Sequence, residues 1–168
     1  NFPIWKLGNA PRQVIANLPY NVGTKMLINW LRYIQNFDLL TLMFQKEVAD
    51  RIVAKTGSSK RSRISLISEL YTNPKLVLNI SSGSFIPKPK VDSALIYFEI
   101  LKKPRYKINQ NRFKIIVDTA FNQKRKMIRS SLKNIFPNTK LALQKVGIEE
   151  TKRPQNIDLK YFCDLSLI

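Results

Sequence analysis

Val14-Ile15-Ala16-Asn17-Leu18-Pro19-Tyr20-Asn21 is the stretch around which the chain is organised. Val14 to Ala16 are continuously apolar and begin with two β-branched residues, the composition of a strand buried on both faces. Pro19 ends that strand, because proline cannot donate to a sheet ladder and holds the preceding Leu18 extended. Asn17 and Tyr20 are therefore expected at the carboxyl end of a strand, where open α/β sheets bind their ligands. An Asn-x-Pro-Tyr turn is also ordinary loop chemistry, so its meaning rests on what accompanies it.

Working outward, charge is the dominant feature. Lys and Arg number 29 against 11 Asp and Glu, a net charge of +18, which points to a polyanionic partner. A hydrophobic content of 44% is enough for a core, and 10% aromatic residues add stacking surface. With no histidine in the sequence, serine-triad hydrolysis, histidine general-base catalysis and His-containing zinc sites are excluded. The one cysteine, Cys163, allows neither an internal disulfide nor a thiolate cluster, so no metal is expected and a reducing cytoplasm fits. No apolar run is long enough to cross a bilayer. The five glycines, at 8, 23, 57, 83 and 147, form no Gly-rich strand-to-helix loop. With Asn1 as first residue, this suggests a piece of a longer chain that lacks the binding half of a nucleotide-type cofactor site.

Periodicity predicts the elements. Gly23 and Thr24 open a helix with Leu27, Trp30, Leu31 and Ile34 on its apolar face. Leu39 to Phe44 is a second strand, and strand, helix, strand implies a parallel pair. Gln45 to Ala54 is helical. Lys55 to Arg63 is a loop, either a basic flap or a solvated connection. Ile64 to Leu70 is a short helix and Lys75 to Ile80 a strand. Ser81 to Lys90 is a second loop stiffened by Pro87 and Pro89, in which Phe85 either caps the core or stands clear of it. Ser93 to Leu101 reads as a strand at a sheet edge.

Lys102 to Arg105 changes the composition and divides a portion at 1–103 from a helical portion at 104–168. Phe113, Ile116, Val117, Ala120 and Phe121 recur at helical spacing. Lys124 to Lys133 reads as a basic helix with Ile128 and Leu132 inward and Lys126, Arg129 and Lys133 outward, a face suited to phosphates. Asn138 to Val146, stopped by Gly147, and Asp158 to Leu165 are two further helices.

One chemistry that wants the Asn17 to Tyr20 loop is alkyl transfer to the amino group of a nucleobase. Two acceptors on the amine hydrogens, the Asn17 side-chain oxygen and the Leu18 carbonyl, favour the pyramidal nitrogen whose lone pair attacks. Tyr20 would stack on the base. Beside this loop stand Ser84-Phe85-Ile86-Pro87-Lys88-Pro89-Lys90-Val91-Asp92-Ser93-Ala94, Phe121-Asn122-Gln123-Lys124-Arg125-Lys126, Lys46-Glu47-Val48 with Arg63, and Arg153-Pro154-Gln155-Asn156. In this order the motifs resemble the KsgA-type ribosomal RNA small-subunit adenine dimethyltransferases, along nearly the whole chain.

The resemblance implies an α/β fold: the C-terminal half of a Rossmann-like class I methyltransferase sheet followed by a small all-α domain. It implies S-adenosylmethionine-dependent dimethylation of the 6-amino groups of two adjacent adenosines near the 3′ end of small-subunit ribosomal RNA. Asn17, Leu18, Pro19 and Tyr20 become the catalytic loop, with Asn17 also beside the cofactor's methyl, and Phe85 the second stacking aromatic. Arg63, Lys88, Lys90, Lys124, Arg125, Lys126 and Arg129 become the RNA grip. Ribosomal RNA in the small ribosomal subunit is the implied partner, of a cytoplasmic, monomeric protein taking part in ribosome biogenesis. The family's glycine-rich loop and two acidic cofactor residues lie upstream of everything present here. The four strands should then form one contiguous half-sheet whose broken edge carries the catalytic loop, and these 168 residues alone should be inactive. Lys60-Arg61-Ser62 departs from the family pattern, which has an aromatic and a glycine there. Two rival readings stay open: the antibiotic-resistance branch that methylates large-subunit RNA, and a non-catalytic RNA-binding or assembly factor of the same fold. The tail from Gly147 through Asn156 to Phe162 favours the small-subunit branch.

Overall fold

A computed structural model of the chain describes residues 4–6 and 8–168. Its regular elements are β1 (Gln13–Asn17), α1 (Gly23–Arg32), β2 (Leu39–Gln45), α2 (Lys46–Ile52), α3 (Arg63–Tyr71), β3 (Thr72–Ile80), β4 (Ser93–Ile100), α4 (Gln110–Asn122), α5 (Ile128–Ser131), α6 (Thr139–Lys145) and α7 (Leu159–Leu165). They fall into two compact units, Asn1–Val53 with Ile67–Arg105, and Ala54–Leu66 with Tyr106–Ile168.

The first unit holds a four-stranded sheet in the order β1-β2-β4-β3. β1 runs parallel to β2, Gln13 opposite Leu39 and Asn17 opposite Met43, with α1 as the crossover. β4 is antiparallel to both its neighbours, and its first residue, Ser93, faces Gln45 on β2 and Ile80 on β3. The half-sheet is contiguous, and β1 is one of its edges. Leu27, Leu31, Leu40, Leu42, Ile96 and Phe98 are completely or almost completely buried. Phe44 and Phe98 meet edge to face at 6.4 Å.

Two expectations about the strands need correction. β1 is not buried on both faces: alternate residues are exposed, and Ile15 is 76% exposed. A strand at an edge pairs on one side only, and here one of its faces also lies open, which a short apolar run cannot reveal. Nor is β4 an edge strand. Its continuous apolar run belongs to an interior strand, and the edge is β3, where a bulge between Leu76 and Leu78 accompanies the exposure of Val77. A bulge of this kind bends and blunts an edge. Across β3 and β4, Lys75 lies 3.2 Å from Glu99, and its hydrogen bond holds the Glu99 carboxyl below the usual carboxylate range.

In the second unit, α4 starts where the Asn109 side chain accepts the Arg112 N–H at 3.1 Å. It buries Phe113, Ile116, Val117 and Ala120, and Phe121 packs against Phe162 at 5.9 Å. The expected basic helix from Lys124 to Lys133 is not continuous. α4 stops at Asn122, the next residues turn, and α5 is a single turn. Long-range bonds compete with the helical ones: Ile128 N–H donates to the Lys152 carbonyl at 2.7 Å and Arg129 N–H to that of Glu150 at 3.3 Å. The sidedness survives, with Ile128 and Leu132 buried and Lys126, Arg129 and Lys133 exposed. α6 is capped by Asn138 through the Leu141 N–H at 3.0 Å. It ends in a Schellman motif, Gly147 N–H to Gln144 O at 3.0 Å and Ile148 N–H to Leu143 O at 2.9 Å, with Gly147 at φ +78°. Cys163 is buried on α7.

Replacing Phe98 by Ala removes the largest buried side chain of the interior strand and should cost about 3–5 kcal/mol. Val77→Ala should change stability by less than about 0.5 kcal/mol; urea midpoints of the two variants test the assignment of interior and edge. By the same measurement Gly147→Ala should cost about 1–2 kcal/mol, the penalty of a Cβ in left-handed backbone.

Candidate active site

β1 delivers Asn17 to its carboxyl end with the side chain exposed, while Leu18 turns inward and is 3% exposed. The Pro19 carbonyl accepts both Val22 N–H at 3.1 Å and Gly23 N–H at 2.9 Å, which closes a tight turn into α1. Gly23 eases the contact where this turn meets the core. A Cβ there would lie 3.3 Å from the Leu18 Cβ and 3.5 Å from the Phe44 ring. With Leu18 anchored below and Pro19 pinned to α1, the intervening backbone has little freedom. Tyr20 leaves the turn half-buried, and its hydroxyl hydrogen-bonds that of Ser93, which is fully buried at the head of β4.

The second wall comes from the segment between β3 and β4. The Ser81 hydroxyl accepts Gly83 N–H at 3.3 Å and caps a 3-10 turn over Ser82–Ser84. Ser82 N–H in turn donates to the Asp92 carboxylate at 2.8 Å. The Asp92 carbonyl accepts Lys46 N–H, also at 2.8 Å, at the start of α2. So held, Phe85, Pro87 and Pro89 join Asn17, Leu18, Pro19 and Tyr20 around one open depression of about 340 Å³. Lys88 and Lys90 are exposed on the same loop.

All five residues predicted as catalytic therefore line one depression. Its walls are aromatic and proline faces, and among the described residues its one side-chain amide is that of Asn17 and no carboxylate or cationic side chain lines it. That composition suits a flat heteroaromatic ring presenting an N–H to the amide oxygen.

The remaining predicted RNA-binding residues lie in the second unit, and several are engaged there. Arg63 pairs with Asp118 at 3.0 Å, a carboxylate it shares with Lys114 at 2.8 Å. Lys124 donates to the Ser59 carbonyl at 3.2 Å, and Arg129 pairs with Glu150 at 3.1 Å. Arg125 and Lys126 are exposed. Lys46 and Glu47, part of one motif, form i, i+4 pairs with Asp50 and Arg51 along α2.

Asp92 and Ser93 carry no predicted role, although they belong to the Ser84 to Ala94 motif. Their only signal in the sequence is a pair of hydrogen-bonding side chains set immediately before an apolar strand. Ser93 and its partner Tyr20 are 73 positions apart, so no local pattern connects them.

The family model described as "Ribosomal RNA adenine dimethylase" matches residues 8–168. The chain is 45% identical over 158 residues to ribosomal RNA small subunit methyltransferase A of Cereibacter sphaeroides, covering 93% of this chain and 57% of the relative. To the protein of the same name from Ehrlichia ruminantium it is 42% identical over 160 residues, covering 95% and 61%. The chain thus spans about three-fifths of the length of these relatives. A crystal structure of a dimethyladenosine transferase from Plasmodium falciparum superposes with a TM-score of 0.83 at 25% identity, over 99% of this chain and 70% of that one. The 23S rRNA methyltransferase ErmE shares the fold, with a TM-score of 0.66 at 20% identity over 98% of this chain and 68% of that one. With the family model matched from Gly8 to the last residue, the chain belongs to the ribosomal RNA adenine dimethylase family.

Proposed function

We propose that this chain is the acceptor-positioning part of an S-adenosylmethionine-dependent enzyme that dimethylates the 6-amino groups of two adjacent adenosines near the 3′ end of small-subunit ribosomal RNA, during ribosome biogenesis in the cytoplasm. The observation that carries the reading is the convergence of Asn17, Leu18, Pro19, Tyr20 and Phe85 on one depression from two separate loops. In this reading the portion at 1–103 positions the base, and the portion at 104–168 grips RNA.

The chemistry follows from the amine. An exocyclic amino group is a poor nucleophile because its lone pair is delocalised into the ring. The Asn17 side-chain oxygen and the Leu18 carbonyl accept its two hydrogens and favour the pyramidal nitrogen. Those bonds strengthen as the nitrogen turns cationic, so they stabilise the transition state more than the ground state. Tyr20 and Phe85 stack on the two faces of the ring and hold its nitrogen in line. No strong base is needed, since the product ammonium is acidic enough to give its proton to water. The adenosine must be single-stranded or extruded to enter.

S-adenosylmethionine supplies a methyl group on a sulfonium. The residues present fit the acceptor and, through Asn17, the methyl end of that donor. Among the described residues the depression carries no carboxylate for a ribose diol, and the sequence has no glycine-rich turn, so the rest of the cofactor has no evident seat among them. Isothermal titration of the 168-residue chain with S-adenosylmethionine should accordingly register no micromolar binding; a micromolar isotherm would relocate the donor site into this chain.

The catalytic reading is tested in a chimaera that completes this chain with the remaining segment of the Cereibacter sphaeroides relative. Asn17→Ala should lower kcat on small-subunit RNA by about 100-fold or more, the scale of losing a preorganised transition-state hydrogen bond. Tyr20→Ala should weaken productive binding by the equivalent of about 1–3 kcal/mol of stacking. Turnover retained in both would remove the loop from the chemistry, and preferential methylation of large-subunit RNA would favour the rival branch. For the grip, replacing Lys88, Lys90, Arg125 and Lys126 by Ala should reduce the slope of log K against log salt by about 0.7–0.9 for every phosphate no longer neutralised. Filter binding across a salt series measures it.

A further inference from the structure

We propose that Asp92 and Ser93 are positioning residues that together set the gap between the two aromatic walls, and so select a flat ring for the depression. The inference rests on the reading of that depression as a base site. Ser93 is fully buried, yet its hydroxyl is spent on the Tyr20 hydroxyl. A buried polar group at the head of a strand costs stability unless it is bonded. This one fixes the far end of the Tyr20 ring, and with it the direction in which the side chain leaves the backbone. Asp92, one residue earlier, fixes the other wall: its carboxylate holds Ser82 N–H at 2.8 Å, at the start of the turn whose next residue is Phe85.

The two residues share one rigid base. The Asp92 carbonyl takes Lys46 N–H, and Ser93 lies in register between Gln45 on β2 and Ile80 on β3. Asp92 lies just before β4 and Ser93 opens it, and the one bonds Ser82 while the other bonds Tyr20, so a single dipeptide holds two loops whose sequences are far apart. The Tyr20 hydroxyl is on this account a tether rather than a proton donor. Its loss and the loss of the Ser93 hydroxyl are the same event.

The test uses the 168-residue chain and a short RNA whose single 2-aminopurine is flanked by abasic residues, so that fluorescence quenching on binding reports stacking on protein. Ser93→Ala, Asp92→Ala and Tyr20→Phe should each weaken the quenched complex about three- to tenfold, while the salt slope of binding stays unchanged. Asp92→Asn keeps an acceptor for Ser82 N–H and should restore binding to within about twofold of the parent. Ser93→Ala added to Tyr20→Phe should have no further effect, whereas a merely structural serine would give additive losses. Additive losses, or full quenching in Ser93→Ala and Asp92→Ala, would overturn the clamp alone. If the unaltered chain binds the RNA without quenching, the depression is not a base site, and the clamp falls with it.

Discussion

A proline carbonyl that accepts two backbone N–H groups is the interaction on which the site depends. Pro19 cannot extend the ladder of β1, and its carbonyl takes the first donors of α1 from Val22 and Gly23. Strand, turn and helix are locked within a few residues, with Leu18 buried beneath and Gly23 close enough to Leu18 that only a hydrogen fits comfortably. Asn17 is thus presented by backbone, and Tyr20 by backbone together with its bond to Ser93. Groups presented this way are held by the backbone and need little ordering of their own.

The second loop obeys a different logic. Ser81 to Lys90 has no strand neighbour to hold it, and its order comes from a serine-capped turn and one carboxylate, that of Asp92. The two walls are therefore anchored unequally, one by the core and one by a hydrogen bond at the surface. Both anchors return to the junction of β2, α2 and β4, where Lys46, Asp92 and Ser93 adjoin. The head of an interior strand thus bonds both loops that line the depression.

The basic residues divide in a similar way. Lys88 and Lys90 are exposed beside the depression, while Arg63 and Arg129 are paired with carboxylates and Lys124 with a carbonyl. Surface ion pairs of this kind contribute little to stability and are screened by salt. A phosphate can exchange for such a carboxylate at modest cost. The net charge of +18 counts the cations in excess of all carboxylates, so these pairs leave it undiminished.

Much of this was legible in the residues themselves. A continuous apolar run at Leu39 to Phe44, the helical spacing of Phe113, Ile116, Val117 and Ala120, the glycine at 147 and the proline at 19 each act through a local rule, so the elements and the loop could be placed from the sequence. What lies between distant residues could not. The interior position of β4, the break between α4 and α5, and the bond from Tyr20 to Ser93 all arise from hydrogen bonds across many residues, which no local periodicity encodes. Local sterics decided what each segment is; only long-range pairing decided which segments adjoin, and with that which side chains line a common depression.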